Sequence, residues 1–124
     1  MRDKFDRRPI RAAFRELERY GILCEGGRWV CCQSCGHHDL RQRWEAAGED
    51  EKPLGYCFWH AQDEESLVAT GKTMLAFNAF DSSDSMFVGR IVVGVLKKHG
   101  VKTQWNGDRR KRIEFTLPKR GGSK

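Results

Sequence analysis

Residues 54–80 read LGYCFWHAQDEESLVATGKTMLAFNAF, two strongly apolar segments on either side of a polar one. In residues 54–60 the apolar side chains fall on both faces of an extended chain, which is typical of a strand inside a sheet. Asp63 is placed to cap a short helix, and Gly71 is placed to end it. Residues 74–80 are apolar enough to form a second interior strand. The segment therefore predicts a strand, a helix and a strand in succession.

The C-terminal third of the chain continues this alternation. Residues 86–99 carry apolar side chains at helical spacing. Residues 101–105 and 112–117 are predicted strands on either side of a turn at Asn106-Gly107. The order from the first interior strand onward is thus β-α-β-α-β-β. We expect the first three of these strands to be parallel through right-handed crossovers, and the last to be antiparallel.

Two helices are predicted ahead of these strands, one over residues 9–20 and one from near Gly36 to Gly48. Between the two helices, residues 22–24 and 29–31 indicate short extended pieces around a glycine turn. We therefore predict one α/β (α+β) domain, in which two helices precede a mixed sheet of four or five strands.

The ends of the chain differ from this domain in charge. Residues 109–124 carry seven basic side chains and one acidic one, and the whole chain has a net charge of +6. We expect the globular domain to occupy residues 9–118. Residues 1–8 are a predicted flexible basic N-terminus, and residues 119–124 a disordered basic tail, because neither holds enough apolar side chains to pack.

The composition also narrows the class of protein. No apolar run approaches the roughly 20 residues of a membrane-spanning helix, and the N-terminus has no secretory signal, so we expect a cytoplasmic protein. The basic C-terminal end permits contact with nucleic acid, although a solvated tail explains the same charge. The residues of that possible contact are Arg109, Arg110, Lys111 and Arg112.

Residues 31–38, CCQSCGHH, place three thiols and two imidazoles within eight residues. Structural zinc requires four Cys or His ligands, and Cys32-x-x-Cys35 has the spacing of one half of such a site. One of the two adjacent histidines can supply a third ligand, and His60 or Cys24 a fourth. A structural zinc site is the leading hypothesis for the function. The favoured ligands are Cys32, Cys35, His60 and His38, with Cys31 assisting.

Two other interpretations of the thiol cluster stay open. A thiol at the start of a helix has a lowered pKa, which would suit Cys32 as a redox centre or as a nucleophile. In the second case His60 would act as a base and Asp63 would orient it. Neither residue requires any chemistry, however, because Asp63 is explained as a helix cap and His60 as the end of a strand.

Three stretches carry a resemblance to a known family: residues 31–36, CCQSCG; residues 55–63, GYCFWHAQD; and residues 75–77, LAF. In these the chain resembles a family of small bacterial proteins that share a domain of unknown function, over roughly residues 10–117. The resemblance implies that the thiol cluster and the His-x-x-Asp segment belong to one site. It brings no established activity, so it supports a fold and a site rather than a reaction.

Overall fold

The fold was analysed in a computed structural model, which describes residues 4–26, 33–48, 53–80, 85–108 and 111–119, and only the backbone of residues 33–35. In this part of the chain no helix is long and apolar enough to cross a membrane. Its elements are α1 (Arg8–Arg19), β1 (Ile22–Glu25), α2 (Gln33–Ala46), β2 (Gly55–Phe58), α3 (Ala61–Thr70), β3 (Lys72–Ala79), α4 (Ser85–Lys98), β4 (Lys102–Gln104) and β5 (Ile113–Thr116).

The described strands form one mixed sheet in the order β1-β2-β3-β5-β4. β1 is parallel to β2, whereas the β2–β3, β3–β5 and β5–β4 pairs are all antiparallel. The predicted α/β class, the mixed sheet and the β-α-β-α-β-β order from β2 onward are confirmed.

The predicted parallel arrangement of the first three strands is wrong, whereas the last strand, β5, is antiparallel to both of its neighbours, as expected. β2 and β3 are antiparallel neighbours, and Phe58 at the end of β2 lies opposite Ala76. β3 begins four residues before Ala76, at Lys72, so it extends past the end of β2. α3 therefore connects two strands that are adjacent in the sheet. Strands with apolar residues on both faces usually belong to parallel sheets, because helices then cover both faces. Here helices also cover both faces of an antiparallel pair, so the same apolar pattern arises without a parallel crossover.

The prediction that two helices precede the sheet is also wrong, because β1 lies between α1 and α2. Ile22 is fully buried, and Cys24 lies opposite Cys57 in the parallel register of β1 and β2. A segment of only four residues gives a weak strand pattern on its own, and its pairing with β2 comes from a distant part of the chain.

All four residues of β2 are buried, as expected for an interior strand. Tyr56 and Phe58 belong to the apolar cluster under α2, whereas Cys57 and Trp59 belong to the larger cluster on the other face. The predicted division of this segment between two faces is therefore confirmed. The larger cluster includes residues of α1, α3 and α4, so α2 alone covers the opposite face among the described elements.

The two ends of the described chain meet at the surface of the domain. Phe5 is buried in the larger cluster and forms an isolated antiparallel bridge with Lys119. The backbone N–H of Asp6 donates a hydrogen bond to the carbonyl of Pro118 at 2.8 Å. Residues 5 and 6 are therefore packed on the domain, while residues 1–3 and 120–124 lie outside the described part of the chain.

Glu16 joins α1 to the end of α4. Its carboxylate accepts hydrogen bonds from His99 at 2.8 Å and from Lys98 at 2.9 Å. These two donors lower the pKa of Glu16 from its ordinary value of 4.5 to about 2, with His99 as the larger cause. A carboxyl whose pKa is lowered by folding stabilises the fold above its ordinary pKa, and it loses that contribution as the pH falls toward the folded value.

We therefore expect Glu16→Gln to lower the free energy of unfolding at neutral pH. The difference from wild type should shrink as the pH is lowered from 4.5 to about 2, and urea titrations across this range would measure it. Glu18→Gln is the control, because Glu18 is exposed on the same helix and makes no ion pair within the described residues. A Glu16→Gln difference that stays constant down to pH 2 would contradict the prediction.

Candidate functional site

The corner between β2 and α3 is built around His60. This residue is the N-cap of α3, and its ring Nδ1 accepts a hydrogen bond from the backbone N–H of Asp63 at 3.4 Å. In return, the backbone N–H of His60 donates to Oδ2 of Asp63 at 3.4 Å, which completes a capping box. Asp63 was predicted to be the cap itself, but it is the third residue of the helix. Gly71 ends α3 in the left-handed conformation, as predicted.

Asp63 also connects this corner to β5. Its Oδ2 accepts a hydrogen bond from Nη1 of Arg112 at 2.9 Å and lies 3.2 Å from Nε2 of His60. The side chains of His60 and Asp63 are only 9% and 11% exposed. The structure thus brings two of the predicted site residues together, in a buried group that Arg112 completes.

Arg112 was predicted only as part of a basic surface for nucleic acid. Its guanidinium is paired with the buried carboxylate of Asp63, and 31% of its side chain remains exposed. Lys111 is exposed, and Arg109 and Arg110 lie outside the described residues. A pattern of charge along the sequence does not reveal such a partner, which comes from an element 49 residues away.

The head of α2 lies over the end of β2. A Cβ atom added to Gly36 would come within 2.4 Å of Cε1 of Phe58, so the helix backbone rests directly on that ring. Phe58 is two residues before His60. Cys35 belongs to the first turn of α2, although its side chain is not described, and Cys31 and Cys32 lie outside the described residues.

The two histidines of α2 have different surroundings. The His37 ring packs edge-on against Phe58 at 5.1 Å, and its Nδ1 forms a hydrogen bond with the hydroxyl of Tyr56. Burial lowers the pKa of His37, so the neutral ring is favoured. His38 is exposed and makes no hydrogen bond or ion pair with any described residue.

Cys24 and Cys57 lie side by side on β1 and β2, with their Sγ atoms 3.6 Å apart. Cys57 is fully buried and Cys24 is partly buried against the larger cluster, so both pack as small core residues. Burial strongly raises the pKa of the Cys24 thiol. Because the thiolate is the form that binds metals and attacks electrophiles, this thiol is a poor candidate for chemistry.

A second polar group, formed by Glu64, Arg7 and Trp59, lies at the same corner and was not predicted. Glu64 forms an ion pair with Arg7 at 2.7 Å and accepts a hydrogen bond from the Trp59 indole at 2.9 Å. The only signal in the sequence is the density of arginines at the start of α1, which by itself indicates a charged helix end.

Among the described residues, no three His, Cys, Asp or Glu side chains lie close enough together to hold a metal ion. The comparison with known families agrees with the resemblance seen in the sequence. A family model described as a domain of unknown function, DUF6891, matches residues 2–118. The chain belongs to the DUF6891 family. No curated protein and no solved structure shows significant similarity to this DUF6891 domain.

Proposed function

We propose that this domain binds a structural zinc ion between the head of α2 and the β2–α3 corner. The proposed ligands are Cys32, Cys35, His38 and His60. The observation that supports this proposal is the C-x-x-C-x-x-H spacing at the start of a helix whose first turn rests on Phe58, two residues before His60. Two thiolates and two neutral imidazoles form a donor set typical of structural zinc.

Helix geometry favours this choice of ligands within α2. Cys35 and His38 are three residues apart, so both lie on one side of the helix about one turn from each other. His37 lies on another side, where Tyr56 and Phe58 hold its ring. The exposed His38 therefore has a ring available for a metal, whereas His37 would have to break a hydrogen bond first.

Asp63 gives His60 a suitable orientation for a ligand. Histidines that bind zinc usually donate the second ring N–H to a carboxylate, which fixes the tautomer and leaves the other nitrogen for the metal. Oδ2 of Asp63 lies 3.2 Å from Nε2 of His60, which leaves Nδ1 as the binding atom. The contact that Nδ1 would give up is the 3.4 Å hydrogen bond from the Asp63 backbone, which is long for such a bond.

The test is the zinc content of protein purified without chelator. We expect about one zinc per chain for the wild type, and less than about 0.2 for Cys32→Ser and Cys35→Ser. His38→Ala should lose zinc, whereas His37→Ala, the matched control one position away, should keep it. Wild-type protein with less than about 0.2 zinc per chain, even after loading with excess zinc, would refute the proposal.

His60 needs its own pair of variants, because it is also a helix cap. Asn is among the best N-cap residues, so His60→Asn should preserve the start of α3 while removing the imidazole. His60→Ala removes both functions. We expect both variants to lose zinc. When all proteins are compared without zinc, only His60→Ala should lose about 1 kcal/mol of stability through the cap. Full zinc content in His60→Asn would remove His60 from the ligand set.

A thiol enzyme is the second candidate, because Cys32 immediately precedes α2 and a thiolate is favoured at a helix N-terminus. Alkylation of the same preparations separates the two candidates. A reactive Cys32 should be labelled rapidly whether or not a chelator is present, whereas zinc ligands should react only after chelation. Cys24 and Cys57 provide the slow internal reference, since Cys57 is buried and Cys24 is partly buried on the strands.

A further inference from the structure

A pocket of about 270 Å³ lies between the start of α1 and the ends of β1 and β2. Gly26 follows β1 and Trp59 follows β2, so the pocket is at the carboxyl ends of the parallel pair. Crevices at this position are where open α/β sheets bind their ligands. The pocket is lined by Arg7, Ile10, Arg11, Phe14, Gly26 and Trp59.

Among the described residues, one positive charge in the lining of this pocket has no acidic partner. The start of a helix carries a partial positive charge, yet α1 has no acidic residue in its first turn and begins among arginines. Arg7 is paired with Glu64, and Arg8 with Asp6. Arg11 makes no ion pair or side-chain hydrogen bond with any described residue, although it lines the pocket. Within the part of the chain that the structure describes, one cation at the positive end of the helix therefore has no counter-charge.

Two other residues that line the pocket, Arg7 and Trp59, are fixed by hydrogen bonds to Glu64. Arg7 makes two hydrogen bonds to Glu64, at 2.7 and 3.2 Å, and the indole of Trp59 donates to the same carboxylate at 2.9 Å. The side chains of Arg7 and Glu64 are only 16% and 15% exposed. A guanidinium and an indole that are already fixed lose little conformational entropy when a ligand binds.

The rest of the wall is apolar and aromatic. The rings of Phe14 and Trp59 are 5.6 Å apart, and Trp59 lies so close to Gly26 that an added Cβ would be 2.5 Å from its ring. The volume is just below the range of about 300 to 1,000 Å³ for pockets that hold drug-sized ligands. The pocket therefore has room for an anionic group and about one ring.

We propose that this pocket binds a small molecule in which a phosphate or a carboxylate is attached to a single aromatic ring. Arg11 binds the anionic group, with the guanidinium of Arg7 beside it, and the ring lies against Phe14 and Trp59. Guanidinium groups match both anions through paired N–H donors. The pocket shares no residue with the proposed zinc site, so the two proposals stand or fall separately.

Calorimetric titration of the full chain with phenyl phosphate, benzoate and inorganic phosphate tests this proposal. We expect phenyl phosphate or benzoate to bind with a Kd below about 1 mM, and inorganic phosphate to bind more weakly because it lacks the ring. Arg11→Gln should weaken binding about ten-fold, the loss expected for a charge-assisted hydrogen bond. Arg15→Gln should leave binding unchanged, since Arg15 is exposed one turn further along α1 and does not line the pocket.

The ring compound that binds more tightly identifies the anionic group, phosphate or carboxylate. Three results would overturn the proposal. One is that neither ring compound binds below a Kd of about 1 mM. Another is that Arg11→Gln and Arg15→Gln weaken binding equally, which would indicate a general effect of charge. The third is that inorganic phosphate binds as tightly as phenyl phosphate, which would exclude a role for the aromatic wall.

Discussion

Phe58→Ala is expected to lower the free energy of unfolding by about 4 kcal/mol, within the range for truncation of a fully buried Phe. The Phe58 ring lies under Gly36, and the ring of His37 packs against it edge-on. The truncation therefore removes the surface on which the head of α2 rests, and the surrounding aromatic side chains cannot fill the space. Urea unfolding followed by circular dichroism would measure the change.

Phe58→Leu is the matched control, because it keeps most of the volume and should cost less than about 1.5 kcal/mol. If the zinc proposal is correct, Phe58→Ala should also lose zinc under conditions where the protein remains folded, since the head of α2 would no longer be held near His60. A loss of stability below about 1 kcal/mol would show that α2 is not anchored at this ring.

The elements of the fold were largely predictable because most of them carry their own local pattern. β2 is buried on both faces, and residues 56–59 already form an unbroken run of apolar side chains in the sequence. α3 ends at Gly71 because the left-handed conformation there suits glycine. Signals of this kind require only residues that are close together in the sequence.

The direction and pairing of the strands were not predictable in this way. β3 pairs with β2 on one side and with β5 on the other, and its apolar run, residues 74–77, is the same whichever way the strand is oriented in the sheet. The short β1 becomes a strand because β2 lies beside it, with Ile22 opposite Gly55. Such contacts join distant segments, so no local pattern distinguishes the parallel from the antiparallel arrangement.

The closeness of His60 and Asp63 was predictable from the sequence, but the other polar side chains around them were not. The His-x-x-Asp spacing already suggested that His60 and Asp63 act together at the end of a strand. The contribution of Arg112 and the pairing of Arg7 with Glu64 depend on side chains that are 49 and 57 positions apart from their partners. Charged residues are common on surfaces, so the sequence does not distinguish a paired arginine from a solvated one.

Asp63→Ala is expected to lower the free energy of unfolding by about 3 kcal/mol, at the lower end of the cost of breaking a buried ion pair. The variant loses the ion pair with Arg112 at 2.9 Å and the side-chain half of the capping box with His60. Arg112 remains 31% exposed, so water can partly solvate its charge and the cost stays below that of a fully buried cation. Chemical denaturation at neutral pH would measure the loss.

A double-mutant cycle separates the two contributions of Asp63. Asp63→Asn retains an oxygen that can accept the hydrogen bond from the backbone of His60 but removes the charge that pairs with Arg112, so it should cost less than Asp63→Ala. Combined with Arg112→Met, either substitution should show a coupling of about 1 to 2 kcal/mol, since a buried pair loses most of its energy with the first partner. Fully additive losses would mean that the ion pair between Arg112 and Asp63 has no coupling energy. The start of β5 would then not stabilise the β2–α3 corner through this pair, and Arg112 would gain no stability from pointing at Asp63 rather than into solvent.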